Sequence, residues 1–166
     1  MNFYINPEFK KEELSIKNIL DNFTVSGRVF DDRQRNQIRL FELNGKIVNV
    51  KSFKIPNSIN KIIYRYFRKS KARRSFEFAL KLIDLGIGTP KPIAYFENFD
   101  FIGLKDSYYV CEHLEDVFEF RALVQNEDFN KRESIIRQFV EFSYQMHQKG
   151  VEFLDHSPGN TLIKDN

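Results

Sequence analysis

The stretch Gly150-Val151-Glu152-Phe153-Leu154-Asp155-His156-Ser157-Pro158-Gly159-Asn160-Thr161-Leu162-Ile163 sets a carboxylate and a carboxamide at a D-x4-N spacing, inside a Pro-containing loop. That combination suits phosphoryl transfer: Asp155 would orient, and take the proton of, an attacking hydroxyl, while the Asn160 side-chain oxygen would turn toward Mg²⁺. The same chemistry needs a cation on the nucleotide phosphates and a carboxylate to hold that cation in place. Lys51 closes the apolar run Ile47-Val48-Asn49-Val50-Lys51, and Glu77 follows in Arg73-Arg74-Ser75-Phe76-Glu77-Phe78-Ala79. Each residue also has a plainer reading. A Lys at a strand edge serves solubility. Glu77 can pair with Arg73 or Lys81, four positions away on a helix. Asp155 and Asn160 can simply cap backbone groups in a surface turn.

These residues need a scaffold, and the hydrophobic pattern supplies one. Apolar positions 16, 19, 20 and 23 predict a short helix over 12–23. Residues 24–30, 37–43 and 46–53 read as three strands, and Asn44-Gly45 between the last two is a hairpin signal because both positions tolerate positive φ. After Pro56, Asn57 or Ser58 can cap a helix carrying Ile59, Ile62, Ile63, Tyr66 and Phe67 on one stripe and Lys61, Arg65, Arg68 and Lys69 on the other. A second helix is expected over 72–85, stopped by Gly86. Residues 92–96 and 107–111 predict two further strands joined by a turn near Gly103. A helix over 132–149 ends at Gly150, and 151–154 reads as a short extended piece. The sum is a five-stranded antiparallel sheet with one packed helix, followed by helices, an α+β order.

Composition narrows the class. The chain has 166 residues, 42% of them hydrophobic and 30% charged, which allows a buried core in a domain of ordinary size. No apolar run approaches the ~18–20 residues of a membrane span. The start lacks a basic region followed by an apolar stretch, so it does not read as a secretory signal. A single cysteine, Cys111, excludes an internal disulfide and a multi-Cys zinc site and fits a reducing, cytoplasmic setting. Nine Lys/Arg and no Asp or Glu fall between Lys51 and Arg74, in a chain whose net charge is only +3. That local cationic field suggests an anionic partner: phosphate, a membrane surface or nucleic acid.

The stretches Val50-Lys51-Ser52-Phe53-Lys54, Lys71-Ala72-Arg73-Arg74-Ser75-Phe76-Glu77, Leu85-Gly86-Ile87-Gly88-Thr89-Pro90-Lys91-Pro92-Ile93-Ala94 and Asp155-His156-Ser157-Pro158-Gly159-Asn160 resemble the lipopolysaccharide kinase family. The resemblance runs from about residue 25 to the end. It implies a protein-kinase-like fold, with an N-lobe and N-terminal extension over 1–111, and a hinge and incomplete C-lobe over 112–166. It implies ATP and Mg²⁺ as cofactors and a lipid-linked sugar, Kdo or heptose of the lipopolysaccharide inner core, as acceptor. Lys51 and Glu77 would form the phosphate-gripping pair, Asp155 would be the catalytic carboxylate and Asn160 a metal ligand. Backbone groups near Glu112, His113 and Leu114 would meet the adenine. With a lipid-linked acceptor, the basic segment 54–74 has two readings: it lies on an anionic membrane face, or it packs its apolar stripe on the N-lobe and directs its cations at phosphorylated sugar. No nucleic-acid partner is expected.

Three departures bear on this expectation. The nucleotide-covering loop from Asp31 to Asn36 has no Gly, so either Arg33 and Arg35 substitute as charged phosphate contacts or the loop covers ATP poorly. Phe153 stands where the family's usual His precedes the catalytic Asp. The Asp of a D-F-G-type motif would fall beyond Asn166, and Asp165 is too near Asn160 to replace it; the expectation is a truncated chain, inactive alone. Two rivals remain: a kinase-like protein with another acceptor, and a non-catalytic pseudokinase or basic anion-binding module.

Overall fold

The computed structural model describes residues 1–31, 36–53, 57, 61, 63–64, 68–154 and 157–164, which fall into two units, Met1–His113 and Leu114–Asn166. In the first unit β1 (Asn2–Ile5) leads through a 3-10 turn (Pro7–Glu12) into α1 (Glu13–Asp21). The strands β2 (Arg28–Asp31), β3 (Asn36–Leu43) and β4 (Lys46–Phe53) follow. Then come α2 (Lys71–Asp84), β5 (Pro92–Phe99) and β6 (Leu104–Glu112). The strands form one antiparallel sheet in the order β1-β5-β6-β4-β3-β2.

The β3–β4 hairpin turns where the sequence says it should. Asn44 (φ 50) and Gly45 (φ 76) both take positive φ, and Leu43 then faces Lys46 across the ladder. Alternation along β4 sends Val48 and Val50 into the core, where they meet Ile16 and Phe23 together with Phe41, Phe96 and Val110. The opposite face receives α2. Its buried residues Ala72, Phe76 and Ala79 recur at helical spacing, and Phe76 sets its ring edge against Tyr4 (5.4 Å) and Tyr95 (5.5 Å).

The sheet has six strands where the sequence suggested five. The extra strand is β1, which pairs Asn2 to Ile5 against Glu97 to Ala94 and stacks Phe3 on Phe96. Four residues are too few for a period-2 signal, and three of them are exposed, so pattern alone gives no strand there. Asn6 fixes the junction: its backbone N–H donates to the Ile93 carbonyl (2.8 Å) and its side chain to the Pro92 carbonyl (3.1 Å).

Two devices seat the start of α2. The Ser70 hydroxyl accepts from the Arg73 amide (3.0 Å), and the Ser70 amide points at the buried Glu97 carboxylate (3.4 Å). The first is an N-cap, and the second places a negative charge at the helix N-terminus, where the backbone dipole favours it.

In the second unit β7 (Val117–Glu119), α3 (Arg121–Gln125), α4 (Arg132–Gln148) and β8 (Leu162–Lys164) surround a small core containing Leu123 and Met146. Phe120 packs on Phe139 at 4.4 Å and Phe118 on Phe129 at 5.1 Å. Gly150 (φ 70) ends α4 as expected, and the Val151 amide returns to the Met146 carbonyl at 3.0 Å. Val151 to Leu154, expected as a short extended piece, pair with no strand among the described residues, and Leu154 lies in a turn. The antiparallel β7–β8 pair, Val117 facing Lys164, had no counterpart in the sequence reading. The predicted helix after Pro56 falls largely outside the described residues: Lys54, Ser58, Ile59, Ile62, Arg65, Tyr66 and Phe67 are not among them, while Lys61, Ile63 and Tyr64 are helical.

Replacing Ser70→Ala is expected to destabilise the protein by about 1 kcal/mol, the usual value of a lost N-cap, read as a lower urea midpoint at unchanged slope. A midpoint equal to wild type would mean that Glu97 alone seats the helix.

Candidate functional site

Strand registers carry Lys51 into a defined row. Tyr4 faces Tyr95, Tyr95 faces Tyr109, Tyr109 faces Lys51, Lys51 faces Ile38 and Ile38 faces Asp31. Directly paired residues project to one side of a sheet, so all six share the face on which α2 packs. Lys51 thus sits on the face of Phe76 and Tyr95, with its ammonium 5.5 Å from the Phe53 ring centroid. Two residues past Tyr109 on the neighbouring strand, the Cys111 thiol is pushed up to about 12 by burial, against the opposing pull of Tyr109 and the Lys51 charge. Burial likewise lifts the Tyr109 phenol far above its ordinary value. The floor beside Lys51 is therefore uncharged at neutral pH.

Glu77 lies one residue beyond Phe76 on α2. Its carboxylate accepts from Lys69 Nζ (2.9 and 2.7 Å) and from Arg73 Nε (2.9 Å). Partial burial alone would raise the carboxyl, but the hydrogen bonds from Lys69 and Arg73 outweigh it and hold Glu77 below its ordinary value. The Arg73 guanidinium is raised in turn, mainly by its bond to Glu77. Of the partners weighed from sequence, Arg73 is engaged; among the described residues Glu77 forms ion pairs with Lys69 and with Arg73. Arg73 lies one helical turn away, a bond that requires no distant strand to be in place, whereas Lys69 reaches in from eight positions away, before the helix begins.

At the end of β6 the Glu112 amide donates to the Lys91 carbonyl (3.0 Å) and the His113 amide to the Ile47 carbonyl (3.0 Å). The Glu112 carboxylate reaches Lys46 at 3.4 Å, and the His113 ring meets the edge of Phe30 at 5.3 Å. These two amides are committed within the chain. Leu114 is the first residue of the second unit.

In that second unit the loop carrying Asn160 is stitched from three sides. The Asn160 amide donates to the Ser157 carbonyl (2.9 Å), the Arg121 amide to Pro158 (3.0 Å) and the Phe120 amide to Thr161 (2.9 Å). Gly159 lies directly under Arg121: a methyl there would stand 2.6 Å from Nη2 of that guanidinium, which Glu119 holds at 3.4 Å. The bracing by Phe120 and Arg121 escaped sequence reading, because it depends on the β7–β8 pairing. Asp155 itself lies outside the described residues, as do Arg33, Arg35 and Asp165. Lys51, Glu77, Glu112 and His113 belong to one unit, Leu114 and Asn160 to the other.

Among the described residues no group of three or more His, Cys, Asp or Glu could hold a metal ion, and no helix is long and apolar enough to cross a membrane.

A six-stranded antiparallel sheet flanked by helices, with a lysine on an inner strand facing the packed helix, is compatible with a kinase-like α+β fold. Among solved structures the chain is similar to "WaaP in complex with acyl carrier protein", with a TM-score of 0.51 and 18% identity. The match covers 80% of this chain and 48% of that one, so the chain spans about half the length of its structural neighbour. At this identity the likeness speaks for fold. No family model matches the sequence, and no curated protein matches it either.

The burial of Cys111 is directly testable. A thiol-specific disulfide reagent is expected to leave it essentially unmodified in the native protein at neutral pH and to modify it fully in denaturant. Rapid native-state reaction would show that the floor beside Lys51 is open.

Proposed function

We propose that this chain carries the nucleotide-gripping part of an ATP- and Mg²⁺-dependent phosphotransferase whose acceptor is a sugar hydroxyl of the lipopolysaccharide inner core, Kdo before heptose. The observation that carries this reading is the position of Lys51: an inner-strand lysine on the α2-facing side of a sheet whose fold is WaaP-like. In this reading the Lys51 ammonium takes the α- and β-phosphates. Glu77 leaves Lys69 and Arg73 to hold Lys51 when nucleotide is bound. Backbone groups of Glu112, His113 and Leu114 line the adenine. Asp155 orients the acceptor hydroxyl and receives its proton. Asn160 offers a hard amide oxygen from a loop fixed by main-chain bonds, the donor type Mg²⁺ prefers, so the residues present fit the ion in part. Bound there, the ion would neutralise charge on the transferred phosphate.

A second reading has its own observation. With Glu77 already saturated by Lys69 and Arg73, the same fold could serve as a non-catalytic module.

Nucleotide-dependent stabilisation separates the two. For one site at ligand a hundredfold above its dissociation constant, the expected stabilisation is about 2.7 kcal/mol. Wild type should show an ATP-dependent rise in melting temperature that Lys51→Met abolishes and Asp155→Ala retains. In a protein that phosphorylates Kdo-lipid A, Asp155→Ala should then lose turnover by about three orders of magnitude or more. A wild-type melt indifferent to ATP, or a Lys51→Met melt that still responds, would favour the non-catalytic module.

A further inference from the structure

Strand β2 carries a bulge that singles out one residue. Val29 faces Arg39 and Asp31 faces Ile38, which leaves Phe30 as the extra residue between two paired ones. Phe30 is 57% exposed, and its ring meets the His113 ring edge-on, with centroids 5.3 Å apart. Strands β3 and β4 lie between β2 and β6 in the sheet, so this contact reaches across both of them. The backbone of His113 fixes the side on which it does so. The His113 amide bonds to the Ile47 carbonyl, which extends the β4–β6 ladder one pair beyond Val48–Glu112. Ile47 alternates with Val48 and so shares the face of Asn49 and Lys51. By turning Phe30 toward His113, the bulge brings an aromatic ring to the Lys51 face.

The neighbours of these two rings suit a base better than a phosphate. Leu40, paired with Asn49 on this face, is 4% exposed and lies outside the core cluster of the opposite face. Cys111, on the other side of Asn49, is a neutral thiol. Across from Ile47 on β3 stands Glu42, whose carboxylate repels phosphate but can accept from an exocyclic amine. Glu112 turns away to Lys46 on the other face. Lys51 stands two pleat repeats beyond Ile47 along β4, about 13 Å away. An extended nucleotide holds its base and its phosphates apart on that scale. The two rings touch each other in this structure, and a base set between them exchanges one ring contact for two.

We infer that Phe30 stacks on the nucleobase of a bound purine nucleotide, with the His113 ring against the base edge, so that the site selects a nucleotide over a bare polyphosphate. The inference rests on the nucleotide-gripping reading of Lys51 and adds the side chains that read the other end of the ligand. ATP and tripolyphosphate, each with Mg²⁺, separate the base from the phosphates. The sequence contains no Trp, so Phe30→Trp gives a single reporter. Its emission should be quenched on titration with ATP and unchanged with tripolyphosphate. By titration calorimetry, Phe30→Ala should bind ATP about tenfold more weakly than wild type, the scale of one base–aromatic stack, and bind tripolyphosphate as wild type does. Val29→Ala, on the opposite face of β2, should match wild type for both ligands. A wild type that binds neither ligand would sink the phosphotransferase reading and this inference together. Wild-type binding of ATP that Phe30→Ala retains in full would overturn the inference alone. So would an equal loss for tripolyphosphate, which would mark Phe30 as a structural residue.

Discussion

The pairing of β4 with both β3 and β6 governs everything that faces α2. Val48 and Val50 are almost completely buried on one side of this inner strand, and that burial locks the register. A slip by one residue would turn Asn49 and Lys51 into the α1-side core and both valines out of it, at a cost of several kcal/mol. The functional face is therefore specified from behind. The cross-strand row from Tyr4 to Asp31 exists because apolar residues on the other face allow no alternative.

Helix α2 rests on this sheet through apolar and ionic contacts that fix different things. Phe76 against Tyr4 and Tyr95 sets its height above the sheet, while Ser70 and Glu97 fix where it begins. Two carboxylates then serve opposite ends of the design. Glu97 is buried at the helix start. Glu77, part-exposed one residue past Phe76, is held by two cations that are themselves part-exposed to solvent, the setting in which an ion pair contributes least. A weakly held carboxylate on a firmly seated helix can exchange partners without moving the backbone.

Local signals were legible in the sequence and non-local ones were not. The Asn44-Gly45 hairpin, the stop of α4 at Gly150 and the helix containing Phe76 each depend on residues within a turn or two, and the structure has all three. β1 eluded pattern reading because its identity as a strand comes from β5, not from its own four residues. The β7–β8 pair is hidden for the same reason, and with it the bracing of the Asn160 loop by Phe120 and Arg121. At the site, the position of Lys51 on the third strand of the meander was readable, although the strand runs on to Phe53 instead of closing at Lys51, and Arg73 was readable as a partner of Glu77. The arrival of Lys69 was not, since it stands eight positions away, before the helix begins.

The edge strand has a further consequence for how the sheet assembles. Ile5 pairs with Ala94, so β1 is synthesised long before its sheet neighbour and, among the described strands of the first unit, closes the largest loop. The hairpins β3–β4 and β5–β6 close over short spans and can form early, whereas β1 can dock only on a finished β5 edge. Folding then ends with a strand made well before its partner. Until that late step the β5 edge is bare, with a row of unpaired backbone groups open to another chain. The hydrogen bonds from Asn6 to Pro92 and Ile93 are the latch that shuts this window.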